Sequence, residues 1–120
     1  MKLFTNEQRA KLIENFNYNS IHAGTDKEKT FDAVVKLFNP AGVGTWWLSE
    51  LNPDDNVAFG YALLDDPLFA ELGHVDIAEL QNLKLPLGLG IERDRYFNPM
   101  PINKVIEQVQ EIPFQARLIF

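Results

Sequence analysis

Apolar and polar residues alternate at period two over two adjacent stretches, Thr45–Leu51 and Val57–Leu64. Between them lies Asn52-Pro53-Asp54-Asp55-Asn56, a run made wholly of turn formers, so the segment predicts an antiparallel hairpin. On its second strand Val57, Phe59, Tyr61 and Leu63 share one face, and Ala58, Gly60, Ala62 and Leu64 share the other. Three small residues on that second face leave room for a closely packed helix or for a ligand. Phe59 and Tyr61, with Trp46 or Trp47 opposite, are expected in the main apolar cluster. The doubled tryptophan sends one indole to each face of its strand, either buried against a helix or, at Trp46, as an anchor for a partner.

The same patterning extends both ways. Val34–Phe38 is apolar at nearly every position and predicts a central strand, turned into the Trp46-Trp47 strand by Asn39-Pro40-Ala41-Gly42-Val43-Gly44. A fourth strand is expected near Leu72–Val75, and an edge strand over Ile91–Phe97, where charges alternate on both faces. Thr5 with Gln8 is a capping-box pattern for a helix from Asn6 to Phe16, with Ala10, Leu12, Ile13 and Phe16 on its apolar face and a Glu7–Lys11 ion pair. Asn17–Thr30 is polar and aperiodic and reads as a loop. Asp76 with Glu79 opens a second helix through Leu83. After Pro99 and Pro101, Ile102, Val105, Ile106 and Val109 fall at helical spacing. The tail ends in Leu118-Ile119-Phe120, apolar enough that it should pack on the domain or form a dimer contact. The expected fold is α+β: an antiparallel meander of three to five strands packed with about three helices, in a single domain over residues 1–120.

Composition narrows the function classes. There is no cysteine among the 120 residues, which removes disulfides, thiolate metal sites and cysteine nucleophiles and suits a reducing, cytoplasmic setting. The start, MKLFTNEQRAKL, is too polar for a signal peptide, and no run is long and apolar enough to cross a membrane. Net charge is −6, against direct binding to nucleic acid or anionic lipid. Between Lys36 and Lys84 there is no Lys or Arg, while Glu50, Asp54, Asp55, Asp65, Asp66, Glu71, Asp76 and Glu79 all fall there. That block carries −8, and −6 minus −8 leaves +2 for the two ends.

Candidate chemistry is sparse. Gly42-x-Gly44 and Gly88-x-Gly90 lack the remaining glycines and lysine of phosphate-binding loops and read as turns. His74 lies near Glu71 and Asp76, and a carboxylate can orient an imidazole as base or metal ligand, although Asp76 is also the expected helix cap. The paired aspartates lack the spacing of a calcium loop. Arg93 and Arg95 share a strand face and either grip an anion or form internal ion pairs. No catalytic motif is complete, and no cofactor or metal is implied.

The succession TNEQRAKLIEN, VVKLFNPAGVGTWWLSELNPDDNVAFGYALLD, ELGHVDIAEL and LPLGLGIERDRYF, over roughly Leu3 to Phe97, resembles an uncharacterised family of small proteins known only as a numbered domain of unknown function. Members of that family are carried by conjugative plasmids, integrative elements and phages. The resemblance implies an accessory protein of mobile DNA and brings no catalytic residues with it. Joined to the charge pattern, it leads to the expectation of a non-enzymatic inhibitor of a host defence system, of anti-CRISPR or antirestriction type. Its partner would be a basic protein surface on a defence nuclease or CRISPR effector, met through Glu50, Asp54, Asp55, Asp65, Asp66 and Trp46. The alternative is a small-ligand binder or enzyme using a pocket near His74 and Glu71.

Overall fold

The computed structural model describes residues 2–111. Three helices and seven strands follow one another as α1 (Asn6–His22), β1 (Asp32–Ala33), β2 (Val35–Phe38), β3 (Thr45–Asn52), β4 (Val57–Leu63), β5 (Glu71–Asp76), α2 (Ile77–Asn82), β6 (Glu92–Arg93), β7 (Met100–Pro101) and α3 (Ile102–Gln110). The main sheet is antiparallel throughout, in the order β5-β4-β3-β2-β6, and a second ladder pairs β1 with β7. The expected α+β meander is the fold.

Turn and cap chemistry place the elements where the sequence predicts them. Thr5 Oγ1 accepts from the Gln8 amide at 3.0 Å while Gln8 Oε1 accepts from the Thr5 amide at 2.9 Å, a reciprocal capping box. In the β3–β4 turn Asn52 Oδ1 accepts from the Asp54 amide at 3.0 Å, Asp55 Oδ1 accepts from the Val57 amide at 3.1 Å, and Asn56 takes the left-handed conformation with φ 58°. Asp76 Oδ1 caps α2 by accepting from the amides of Ala78 and Glu79.

Each face of the sheet carries its own apolar cluster. On one, Leu12 of α1, Leu3 and Phe4 before it, and Ile77 and Leu80 of α2 pack over Val35, Leu37, Trp46, Leu48, Leu51 and Ala58. On the other, Ile102, Val105 and Val109 of α3 pack over Trp47, Tyr61 and Leu63. On the small-residue face of β4, Ala58 is buried in the α1-side cluster and Ala62 packs against it.

Several expectations need correction. Helix α1 runs on to His22, well past Phe16, because its last turns are held by hydrogen bonds that apolar periodicity does not register. Asn15 is 2% exposed and donates from Nδ2 to the Ser49 carbonyl at 3.0 Å. Asn19, one turn on, donates to the Lys29 carbonyl at 2.7 Å and accepts from the Lys29 amide at 2.9 Å. Tyr18 fastens the same segment through its hydroxyl, which donates to the Lys27 carbonyl at 2.9 Å. Lys11 pairs with Glu14 at 3.5 Å instead of with Glu7. The edge strand shrinks to Glu92–Arg93, because Asp94 forms its own turn by accepting from the Tyr96 amide at 2.9 Å. Arg93 donates to the Lys2 carbonyl at 3.1 Å, and the ion pair formed at this edge is Lys36 with Asp94, 3.7 Å apart. Phe59 stands outside both apolar clusters and is only half-buried. The tail expectation concerns Leu118, Ile119 and Phe120, which lie outside the described residues.

Strand β3 carries an irregularity on which much else depends. Leu48 pairs with Gly60 and Glu50 with Phe59, so Ser49 is the extra residue of a β-bulge. At this point the strands approach so closely that a Cβ on Gly60 would lie 2.0 Å from the Trp47 carbonyl oxygen and 2.8 Å from the Leu48 Cα. Gly73, beside it on β5, has open space around its Cβ position.

These two glycines make a matched test. Gly60→Ala should lose about 3 kcal/mol or more, the top of the range for overpacking, read as a fall in the urea midpoint, and Gly73→Ala should be close to neutral. Equal midpoints for the two variants would contradict the bulge. By the same measurement Leu37→Ala should cost about 2–5 kcal/mol, and Phe59→Ala clearly less.

Candidate functional site

The bulge changes which side of the sheet each following residue faces. Trp46 and Leu48 point to the α1 side and Trp47 to the α3 side, and beyond Ser49 it is Leu51 that returns to the α1 cluster. Glu50 is thereby turned away from the helix-packed core. It lies opposite Phe59 on β4, which lies opposite His74 on β5, so the three side chains form one row across the sheet. The Phe59 and His74 rings meet edge-on with centroids 5.5 Å apart. A neighbouring row, Trp47–Tyr61–Leu72, begins under α3.

Helix α3 covers Trp47 and Tyr61 of that second row and leaves Leu72 and the first row open, and a cleft of about 810 Å³ results. Its walls are the end of α1 at Phe16 and Asn19, the connection Thr25–Phe31, and Ile102 at the start of α3. The β1–β7 ladder pairs Asp32 with Pro101 and Ala33 with Met100, and so ties the end of that connection to the start of α3. Asn19 reaches both the connection and the sheet, since its Nδ2 also donates to Glu50 Oε2 at 3.1 Å.

A family model described as "Protein of unknown function (DUF2958)" matches residues 3–111. The chain belongs to this family. No curated protein and no solved structure matches it. The DUF2958 match takes in every element from α1 to α3, and so the whole cleft.

Within this DUF2958 domain the residues singled out from the sequence separate into three groups. Glu50 and Asp55 line the cleft, with Asp54 exposed in the adjoining turn. Asp65 and Asp66 lie past the other end of β4, roughly 20 Å away at the usual rise of a strand. There Asp66 Oδ1 accepts from the Leu68 amide at 2.9 Å and holds the turn at Pro67–Phe69. Trp46 is 8% exposed in the α1-side core, so it is not offered to a partner. The proposed His74–Glu71 pocket also divides. His74 lines the cleft, whereas Glu71, an odd number of residues away on the same strand, faces the opposite side. Gly42 and Gly44 belong to the β2–β3 turn, with Asn39 Oδ1 accepting from the Ala41 amide at 2.8 Å. Among the described residues no three His, Asp or Glu side chains are grouped so as to hold a metal ion.

Sequence reading misses Asn19, Glu28 and Phe31 as cleft residues because all three lie in or beside the stretch assigned to a loop. A signal for the first existed: Asn15 and Asn19 are four apart and extend the helix face begun by Leu12.

The cleft is unevenly charged. Asp26, Glu28, Glu50 and Asp55 line it, against Lys29 and His74. Lys29 holds its ammonium 4.7 Å from the centroid of the Tyr18 ring, which is not a cleft residue. Burial pushes the Glu50 carboxyl above the ordinary glutamate value of 4.5; the hydrogen bond from Asn19 opposes this, the nearby Glu28 carboxylate adds to it, and His74 opposes it more weakly.

A raised folded-state pKa means that the folded protein holds this proton more tightly than the unfolded chain. The associated stability is therefore complete below 4.5 and is lost as pH rises through the folded value. Glu50→Gln keeps an oxygen to accept from Asn19 and removes the ionisation. In thermal melts the variant should match the parent near pH 4 and exceed it at pH 7; a parent that is more stable than the variant at pH 7 would show that ionised Glu50 is stabilised in place.

Proposed function

We propose that this protein is a non-enzymatic binding protein whose cleft and acidic rim engage a basic surface of another protein. The observation that carries the reading is the excess of carboxylates around an open cleft where the lysine is turned aside. A field of that sign, focused by a concave wall, raises the local concentration of cationic groups and steers their approach. Three phenylalanines, Phe16, Phe31 and Phe59, supply apolar contact area beside the charge.

The partner favoured within this reading is a host defence nuclease or CRISPR effector. Its support is the resemblance to proteins carried by plasmids, integrative elements and phages, together with the basic channels that such enzymes use for nucleic acid. Inhibition by occupying a basic channel requires no chemistry from the inhibitor. The alternative of a small-ligand enzyme has the cleft volume in its favour. Against it, no hydrogen bond orients His74 among the described residues, and its expected partner Glu71 faces away.

The split of the acidic groups supplies the test. Asp26→Asn, Glu28→Gln and Asp55→Asn together keep the backbone-accepting oxygens of Glu28 and Asp55 and so preserve the local turns. A partner recovered from the host with the tagged protein should bind this triple variant about tenfold more weakly at low salt, with a flatter salt dependence. Asp65→Asn with Asp66→Asn should leave binding unchanged. Equal binding of parent and triple variant at every salt concentration, or a turnover activity abolished by His74→Ala, would overturn the proposal.

A further inference from the structure

We infer that the cleft is a specificity pocket for an arginine side chain presented by an extended segment of the partner protein, with Glu50 as its counter-ion and Phe59 as its apolar wall. This rests on the basic-partner reading above and goes beyond it in naming the group that enters the cleft and the residue that receives it.

The bulge at Ser49 places a carboxylate where regular strand geometry would have put it into the α1-side core. Glu50 Oε2 accepts from the neutral amide of Asn19 at 3.1 Å, and among the described residues no lysine or arginine pairs with the carboxylate. Its position is held from behind, since Asn19 is itself locked to Lys29 through both atoms of its amide. A fixed, partly desolvated carboxylate with one oxygen uncommitted is complementary to a donor-only cation.

Three features of the cleft favour guanidinium over ammonium. The group must leave water for a half-enclosed site, and guanidinium is the more weakly hydrated cation. It must lie beside the Phe59 ring, which a planar cation can stack against. It must also reach Glu50 past the rim formed by Glu28 and Asp55, and a long side chain with a flat, multiply donating head can contact both levels. The volume of about 810 Å³ exceeds what one side chain fills and lies in the range, about 300–1,000 Å³, of pockets that enclose drug-sized ligands. The occupant is therefore a segment of chain, with the arginine as its deepest residue.

The probe is a blocked peptide, acetyl-Gly-Gly-Arg-Gly-Gly-amide, added to the full chain and followed by amide chemical shifts. Its controls are the citrulline peptide, which has the same shape without the charge, and the lysine peptide. The arginine peptide should move signals of Glu50, Phe59, His74 and Phe31, bind at least about tenfold better than the citrulline peptide, and exceed the lysine peptide by a smaller factor. Glu50→Gln should abolish the preference for arginine over citrulline, and Phe59→Leu, which keeps apolar bulk, should weaken the arginine peptide several-fold. Shifts confined to residues outside the cleft, equal binding of arginine and citrulline peptides, or binding by free L-arginine as tight as by the peptide would each overturn the inference. With the captured partner, unchanged binding of Glu50→Gln beside weakened binding of the Asp26, Glu28 and Asp55 variant would remove the arginine pocket and leave the basic-surface reading standing. Unchanged binding of both would remove the two together.

Discussion

One extra residue in strand β3 sets the relation between core and cleft. Ser49 is inserted opposite the Gly60–Phe59 step, and the insertion reverses the facing of every β3 residue after it. Leu51 then joins Leu48 and Trp46 against α1, and Glu50 leaves that face. Without the insertion the same sequence would bury the Glu50 carboxylate under a helix and expose Leu51, a double penalty. Gly60 is the price on the facing strand, since any side chain there would overlap the Trp47 carbonyl. The two buried asparagines of α1 complete the arrangement. Asn15 donates to the Ser49 carbonyl at the bulge, and Asn19 donates to Glu50.

The cleft follows from unequal coverage of the sheet. Helix α1 and α2, with the N-terminal Leu3 and Phe4, cover one face broadly. Helix α3 is short and lies over Trp47, Tyr61 and Leu63 only, where Gln110 Nε2 also donates to the Tyr61 hydroxyl at 2.9 Å. The rest of that face, from Phe59 to His74, is bordered by the Thr25–Phe31 connection and stays open. Half-burial of Phe59 is thus a property of the site and not a packing defect. The same openness lets Glu50 keep part of its hydration while losing enough to raise its pKa.

The acidic residues divide their work in a way that charge counting hides. Asp55, Asp66, Asp76 and Asp94 each accept a backbone amide at a turn or helix start. Aspartate serves there through its short acceptor side chain, and at Asp94 the charge also pairs with Lys36 at 3.7 Å. Asp55 also lines the cleft, together with Asp26, Glu28 and Glu50, and there the Glu28 charge adds to the rise in the Glu50 pKa. A surface assembled from Asp54, Asp55, Asp65 and Asp66 does not exist as one patch, because β4 separates its halves.

Local chemistry made most of the fold legible. The capping box at Thr5, the Asn52–Asn56 turn, the Asp76 cap and the spacing of Ile102, Val105, Ile106 and Val109 each depend on residues within a few positions of one another, and each forms where the sequence predicts it. What depended on partners distant in sequence was not legible. The length of α1 was decided by Ser49, Glu50 and Lys29, which satisfy its polar residues from 10 to 34 positions away. The facing of Glu50 was decided by a bulge, and period two carries no mark for an inserted residue beyond a glycine on the facing strand. Trp46 and Trp47 were destined for opposite faces by strand geometry alone, but only the packing of α1 and α3 determined that both would be buried. The sequence specified which elements form; the tertiary structure decided which of their polar groups would be consumed in holding them together and which, at Glu50 and His74, would be left facing a cleft.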